Sequence, residues 1–455
     1  MAKKATKGAD PAIENPWAFF DTVTTTDRYV DAHVERPTYG FADSGCYALN
    51  AVVCGDVRGG FPKNKIVQTA GLQGSGKSLL GKYNFCPPLF ADGYFIYYID
   101  TENETTREDL INYAAFPPRQ FKVLHFHTVE QCHHGISVIL KQLEDYVEKN
   151  KLFVNPNKLA FVLDSQGMLS TDKNVNDVLS GQDKVDLTKA KKLSAMYRDI
   201  TFRLGEMGAP MYVTNHLYLD PNAAATHSET KKVAGGEGAK YSASVILSVY
   251  KIAERVDKDP NAPKKEGEKK EKEVRGIFIQ VSNIKNRMVH EGFGTRLYLS
   301  YQNGLSRYYG LHVWAEEAGL IVPYTKKEDW PGLELPKVNG KTFLGKKWVI
   351  CDPRRDKSTW LVAPEPQLHS ARYIGTILDP INEYIQNKYK NQKLGIFGDE
   401  STEEATEREL AELDESVLDA ANDSEIAKMQ QKALSQAQAL GLIDGDGMVP
   451  DAPES

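Results

Sequence analysis

Gly71-Leu72-Gln73-Gly74-Ser75-Gly76-Lys77-Ser78 fits the pattern G-x-x-x-x-G-K-[ST] at every required position. Each position has a physical task. The glycines allow a tight turn, so that several backbone N–H groups face one concavity. That concavity opens at a helix N-terminus, where the helix dipole favours an anion. Lys77 would reach the outer phosphates of a nucleotide, and the Ser78 hydroxyl would hold Mg²⁺. The flanks agree with this reading. Lys65-Ile66-Val67-Gln68-Thr69-Ala70 is strand-like, and Leu79-Leu80-Gly81-Lys82-Tyr83 is a plausible helix start. Strand, glycine loop and helix is the order that a phosphate-binding loop needs.

Length and composition bound the rest. The chain has 455 residues, enough for two or three domains with substantial cores. No run of 18 or more apolar residues occurs, so no membrane span is expected. Met1-Ala2-Lys3-Lys4-Ala5-Thr6-Lys7 carries charge with no apolar stretch behind it, which does not suit a secretory signal. The five cysteines, Cys46, Cys54, Cys86, Cys132 and Cys351, are scattered and odd in number. They suit free thiols in a reducing, cytoplasmic setting. Cys132-His133-His134 lacks the second cluster that a metal site would need. Residues 399–455 hold sixteen acidic and three basic residues, a balance of −13, so the preceding residues carry +7 of a whole-chain charge of −6. A mildly basic body with an acidic tail suits a polyanion partner and a self-screening or solubilising segment.

The organisation follows from composition. Residues 1–45 form a small N-terminal segment with Trp17, Phe19 and Phe20 as candidate anchors. Residues 46–308 alternate strand-like and helix-like runs, which predicts an α/β core with a mostly parallel central sheet. After the glycine loop the strand candidates are Tyr94–Ile99, Leu159–Leu163 and Met211–Thr214, apolar throughout as strands buried on both faces are. Leu193, Met196, Tyr197, Ile200 and Leu204 define the buried face of a helix. Val245–Tyr250 and Ile277–Val281 read as a hairpin pair separated by a charged, solvated loop from Glu254 to Arg275. Residues 309–398, with Trp314, Trp330, Trp348 and Trp360, read as a small C-terminal α/β domain, and 399–455 as an acidic, flexible tail.

Three strands end in polar residues that would meet at the glycine loop. Asp164, followed by Ser165, could bind Mg²⁺ beside Ser78. Asp100-Thr101-Glu102 ends a second strand at the edge that faces the ligand crevice. Glu102 could orient and deprotonate an attacking water, and Asp100, Glu104 and Glu108 compete for that role. Thr214-Asn215-His216 ends a third strand, and either His216 or Asn215 could sense a γ-phosphate by hydrogen bonding. The segment from Leu217 to Ala234 reads as a mobile loop.

The ordered set resembles the RecA family of DNA strand-exchange recombinases. It consists of Gly71–Ser78, Ile99–Glu102, Phe161–Ser165, Thr214–His216 and Gly235-Gly236-Glu237-Gly238-Ala239-Lys240-Tyr241-Ser242-Ala243-Ser244. The asparagine-histidine pair and Ile284-Lys285-Asn286-Arg287 are most similar to the UvsX-type recombinases of tailed bacteriophages. The resemblance covers roughly residues 45 to 320 and implies a RecA-like ATPase core using ATP and Mg²⁺. ATP would be held by Gly71, Leu72, Gln73, Gly74, Ser75, Gly76, Lys77, Ser78, Leu79 and Asp164, with Mg²⁺ on Ser78 and Asp164. The resemblance makes Glu102 the catalytic carboxylate and His216 the γ-phosphate sensor, where the bacterial family usually has glutamine. Lys77 is the phosphate-loop lysine, and Lys285 and Arg287 match paired cations that reach a neighbouring subunit's ATP. From spacing alone, Lys285 and Arg287 read as two cations on a surface strand.

By the same resemblance, two DNA-binding loops fall near Ser170–Leu187 and Leu217–Ala234, with Lys184, Lys189, Lys231, Lys232, Gly235 and Gly236 in or beside them. The implied partners are single-stranded DNA, homologous duplex DNA and further copies in an open helical filament. A loader protein and a single-strand-binding protein would be accessory, and the location would be the cytoplasm of a bacterial host. A ring-forming replicative helicase and a non-catalytic ATP-binding recombination mediator are the competing expectations.

Overall fold

The computed structural model describes residues 39–112, 114–150, 158–181, 188–219, 231–233, 240–258, 272–338 and 340–390. All of them lie in the first of two compact units, Met1–Asn391; the second, Gln392–Ser455, is outside the described residues. So are Trp17, Phe19, Phe20, Lys184, Gly235, Gly236 and the acidic tail.

The glycine loop leaves strand β1 (Ile66–Gly71), every residue of which is buried. Strands β2 (Phe95–Asp100), β3 (Phe121–His125), β4 (Leu159–Asp164) and β5 (Met211–Leu219) follow. Strand β6 (Lys231–Val233) pairs antiparallel with the end of β5. Strands β7 (Val245–Lys258), β8 (Lys272–Asn286), β9 (Gly294–Ser300) and β10 (Gly304–Leu305) complete a ten-stranded sheet. Its order is β10-β9-β8-β7-β1-β5-β4-β2-β3. The ladders from β7 through β1, β5, β4 and β2 to β3 are parallel, while β8, β9 and β10 add an antiparallel extension. This is the α/β, mostly parallel architecture expected for a RecA-like core.

Period-two alternation sorts the strand side chains into two cores. Ala160, Val162, Val67 and Tyr98 join one core with helix α1 (Tyr47–Cys54). Phe161, Leu163, Ile66 and Ile99 join the other with two helices, Val129–Lys149 and Lys189–Met207. The buried face of the second of these helices is Leu193, Met196, Tyr197, Ile200 and Leu204, as the spacing predicts. Residues 309–390 carry a three-stranded sheet (Ile321–Pro323, Lys347–Ile350, Leu361–Pro364) with a small cluster of their own around Leu333, Val349 and Val362. Leu311, Trp314, Ile321, Ile374 and Ile385 from the same region pack into the first core.

Two expectations need correction. The charged stretch from Glu254 to Arg275 is in part ladder: β7 runs to Lys258 and β8 starts at Lys272, with Glu273 opposite Asp257 and Val274 opposite Val256. Cross-strand bonding holds these polar residues in register although their composition reads as loop. Residues 259–271 lie outside the described residues. Similarly, β5 does not stop at His216 but continues to Leu219, because Leu217, Tyr218 and Leu219 pair with β6. Lys231 and Lys232 therefore lie in a short strand.

All five cysteines are buried free thiols. Among the described residues no three or more of His, Cys, Asp and Glu cluster as a metal-binding group, and no helix is long and apolar enough to cross a membrane.

His312 and His369 face each other with ring centroids 4.7 Å apart. Burial, then the neighbouring His312, pushes the His369 pKa down to about 4, and burial with the charge of Arg296 lowers that of His312. Unfolding frees both rings to protonate near 6.5. The unfolded chain thus binds more protons between about pH 6.5 and 4, and stability is lost as pH falls through that window. The His369 contribution amounts to about 3 kcal/mol. Thermal unfolding at pH 7 and 4.5 should show a smaller acid loss for His369→Phe than for the native chain; equal losses would show that this pair does not set the acid response.

Candidate active site

The site forms where β1, β2, β4 and β5 end together. Gly74 and Gly76 take positive φ angles of 70° and 95°, which let the loop fold back over its own N–H groups. Lys77 opens the helix Lys77–Leu80, which continues through a π turn at Gly81–Phe85 into Cys86–Ala91. Tyr212 of β5 fixes this entry by donating its hydroxyl to the Lys77 carbonyl at 2.9 Å. The Lys77 ammonium is buried in the loop and donates to the Leu72 carbonyl at 2.9 Å. Burial lowers its pKa, and the carboxylates of Asp164 and Glu102 work against that shift.

Asp164 is a hub. Its Oδ1 accepts from Ser78 Oγ at 2.9 Å and from Thr214 Oγ1 at 2.6 Å, and its Oδ2 accepts from the Tyr98 hydroxyl at 2.6 Å. Strands β2 and β4 place Asp100 directly opposite Asp164. The two carboxylates are used differently. Asp100 accepts backbone N–H groups from Glu102 (2.9 Å), Asn103 (2.9 Å) and Thr105 (2.8 Å). It is committed to shaping the turn that follows β2. Glu104 and Glu108 are exposed. Glu102 is half-buried, and its Oε1 accepts from Ser165 Oγ at 2.7 Å. Thr101 closes the same junction, donating to the Ser165 carbonyl at 2.7 Å and accepting the Ser165 N–H at 2.9 Å. Of the four carboxylates open from sequence, Glu102 alone is tied to the Asp164–Ser165 junction while keeping access to solvent.

His216 lies opposite Gly71 in the β1·β5 ladder. Its ring packs on Gly167, where an added Cβ would come within 2.4 Å of the imidazole. Burial, then the charge of Lys77, lowers its pKa, so the ring is neutral near pH 7. Asn215 is fully buried and accepts the His216 N–H at 2.8 Å, whereas His216 is only partly buried. Lys189 donates to the Gly167 carbonyl at 2.7 Å and bears on His216 by its charge. The side chains of Lys231 and Lys232 lie outside the described residues.

Over 276 residues the chain is 24% identical to the recombination and repair protein of Enterobacteria phage T4. That match takes in 60% of this chain and 63% of the phage protein, less than two thirds of its length. A crystal structure of the RadB recombinase is similar at 18% identity, over 58% of this chain and 98% of that one, with a TM-score of 0.38. No protein-family model matches the chain.

Lys285 and Arg287 are not beside this loop. Lys285 pairs with Ile246, which lies opposite Gln68 near the start of β1, whereas the loop leaves after Gly71, opposite Val249. The offset is roughly 10 Å along the strands. The Lys285 ammonium donates to the carbonyls of Lys240 (2.7 Å), Tyr241 (2.9 Å) and Ala243 (2.9 Å). Arg287 is exposed and donates to the Tyr241 carbonyl at 3.1 Å.

Tyr98, Thr214 and Ser165 give no functional signal of their own in sequence. A tyrosine inside Phe95-Ile96-Tyr97-Tyr98-Ile99 reads as core, and only the β2·β4 register brings its hydroxyl to Asp164. Burial and the adjacent Asp164 carboxylate hold its pKa well above the ordinary phenol value, so it stays an O–H donor. Tyr98→Phe removes one of three donors from a buried carboxylate and is expected to cost about 1–3 kcal/mol. It should also shrink the stabilisation gained from MgATP. Thermal unfolding with and without MgATP reads both effects; an unchanged melting temperature would show that the bond carries little.

The residues fit the nucleotide that the loop pattern implies. The Ser75 hydroxyl is buried with no partner among the described residues, leaving a donor inside the loop for a phosphate oxygen. Ser78 and Asp164 offer the hard oxygen donors that Mg²⁺ prefers.

Proposed function

We propose that this chain is a DNA-dependent ATPase of the recombinase type, which polymerises on single-stranded DNA and pairs it with homologous duplex. The observation that carries the reading is the meeting of Ser78, Asp164, Glu102 and His216 at adjacent strand ends. Similarity to the phage T4 recombination and repair protein supports the recombination setting.

In this reading the loop N–H groups and Lys77 bind the β- and γ-phosphates, and Ser78 and Asp164 would hold Mg²⁺, which when bound would supply neutralisation of charge on the phosphates. Glu102 orients a water and takes its proton, a task that suits a carboxylate fixed by Ser165. His216, neutral and next to Gly71, reports the γ-phosphate by a hydrogen bond. The report travels through Gly167 and Lys189 on one side and along β5 to β6 on the other, so both proposed DNA-binding segments adjoin the sensor. Arg287, exposed and remote from its own loop, serves the site of a neighbouring copy, while Lys285 holds the 240–243 carbonyls that shape its surroundings.

A cavity of 480 Å³ lined by Leu79, Tyr83, Asn84 and Tyr301 adjoins the helix that follows the loop. It is the proposed seat of the adenine ring.

Phosphate release measured with and without single-stranded DNA tests the function. Low basal turnover that rises strongly with DNA supports it, and no stimulation at any salt concentration would overturn it. Electron microscopy with a non-hydrolysable ATP analogue adds the second criterion: open filaments support the reading, and closed rings overturn it.

A further inference from the structure

Beyond the β9–β10 turn lies a second cavity, of 590 Å³. It opens on the antiparallel extension of the sheet, on the face that carries Phe278 and Tyr298. Phe278 and Tyr298 are cross-strand neighbours on its wall, with ring centroids 5.0 Å apart. Tyr309 lies 5.6 Å from Phe278 and 4.5 Å from His369, so the rings run as a continuous aromatic surface. Phe278, Tyr298 and Tyr309 are only half-buried and keep ring surface toward the cavity. The rim is polar: Arg275, Gln302, Asn303 and Glu365 line it, and all four are exposed. His369 lines the cavity too, and its Nδ1 is buried without a partner among the described residues.

These groups match one ligand chemistry. Half-open aromatic rings stack on a planar heteroaromatic ring, and such stacking is tolerant of sequence. Carboxamides and a carboxylate read the donors and acceptors on a base edge. An arginine at the rim takes a phosphate. A purely aliphatic ligand would use neither the rings' faces nor the carboxamides, and a bare anion would leave the rings unused.

We infer that the Phe278–Tyr298–Tyr309–His369 cavity is a second nucleobase site, which stacks one base and holds its phosphate at Arg275. Ser300, Gln302, Asn303, Gly304 and Leu305 line both this cavity and the one beside Leu79 and Tyr83. The turn is tied by Ser300 Oγ, which accepts the N–H groups of Gln302 (3.3 Å) and Asn303 (3.2 Å). One two-sided turn thus forms a wall of each cavity, and a base in the second would bear on the first. The base is either that of a free nucleotide or one splayed from a single strand.

The full-length chain is titrated with two probes, a single-stranded oligonucleotide carrying 2-aminopurine and free 2-aminopurine riboside triphosphate. Both are measured in a Lys77→Ala background, which silences the phosphate loop and keeps this test separate from the proposed ATPase. Quenching of the oligonucleotide that Tyr298→Leu weakens assigns the site to a DNA base, and quenching of the free nucleotide that it weakens assigns it to a mononucleotide; either supports a nucleobase site, whereas quenching that the variant leaves intact belongs to the proposed DNA-binding segments. Tyr298→Leu should weaken the responding probe about tenfold, and Tyr298→Phe should leave it unchanged. Should Tyr298→Leu fail to fold, the exposed Arg275→Ser takes its place and should weaken binding with a shallower salt dependence. No quenching of either probe, or equal affinity in folded Tyr298→Leu or Arg275→Ser, overturns the inference.

Discussion

Glu102→Gln is expected to lower DNA-stimulated ATP turnover by on the order of 10²–10⁴-fold while leaving nucleotide affinity within about threefold. The reason is geometric. Glutamine has the same size, and its carbonyl can still accept from Ser165 Oγ, which lies 2.7 Å from Glu102 Oε1. The turn would stay intact, because its backbone is held by Asp100 through Glu102, Asn103 and Thr105. Only the ability to take a proton disappears. Phosphate release under single-turnover conditions, with binding of a fluorescent ATP analogue as the control, separates chemistry from affinity. Turnover within tenfold of the native chain would remove Glu102 from the role. Glu104 and Glu108, both exposed, would then be the carboxylates to test.

Arg287→Ala should reduce turnover by on the order of 10³-fold, as loss of a cation supplied in trans does in phosphoryl-transfer enzymes. Its distinguishing consequence appears on mixing. Alone, Arg287→Ala and Glu102→Gln should each be nearly inactive. In an equimolar mixture, about a quarter of head-to-tail junctions would combine an intact Glu102 with a neighbour's intact Arg287. Turnover should therefore recover to about a quarter of the native rate per site. Failure of the mixture to exceed either variant, with co-assembly verified by light scattering, would place Arg287 outside the reaction. Arg287 suits this test better than Lys285, whose three carbonyl bonds give its removal a structural cost of its own.

The parts of the site written in consecutive residues are legible in the sequence itself. The glycine loop, the buried strands ending at Asp100 and Asp164, and the helix face from Leu193 to Leu204 all follow from local pattern. What local pattern does not contain is register. Asp100 and Asp164 look alike as strand-ending aspartates, yet one shapes a turn and the other receives Ser78, Thr214 and Tyr98. That difference arises from pairing between segments more than sixty residues apart, as in the Tyr98 bond to Asp164. The ends of the long strands escape local pattern for a related reason. Charged residues at Glu254–Lys258 and Lys272–Arg275 lower local strand preference, and cross-strand hydrogen bonding overrides it.

Lys285 and Arg287 lie at one end of the strands and the phosphate loop at the other. On the function proposed above, a subunit built this way would not complete its own chemistry by folding. In an open row of n copies only n − 1 active centres would be whole. One terminus would always bear a nucleotide loop with no arginine, and the other an arginine with nothing to serve. Short rows would then be poor catalysts per copy, and long rows would approach full output. The two tips, being chemically unlike, would gain and shed members at different speeds.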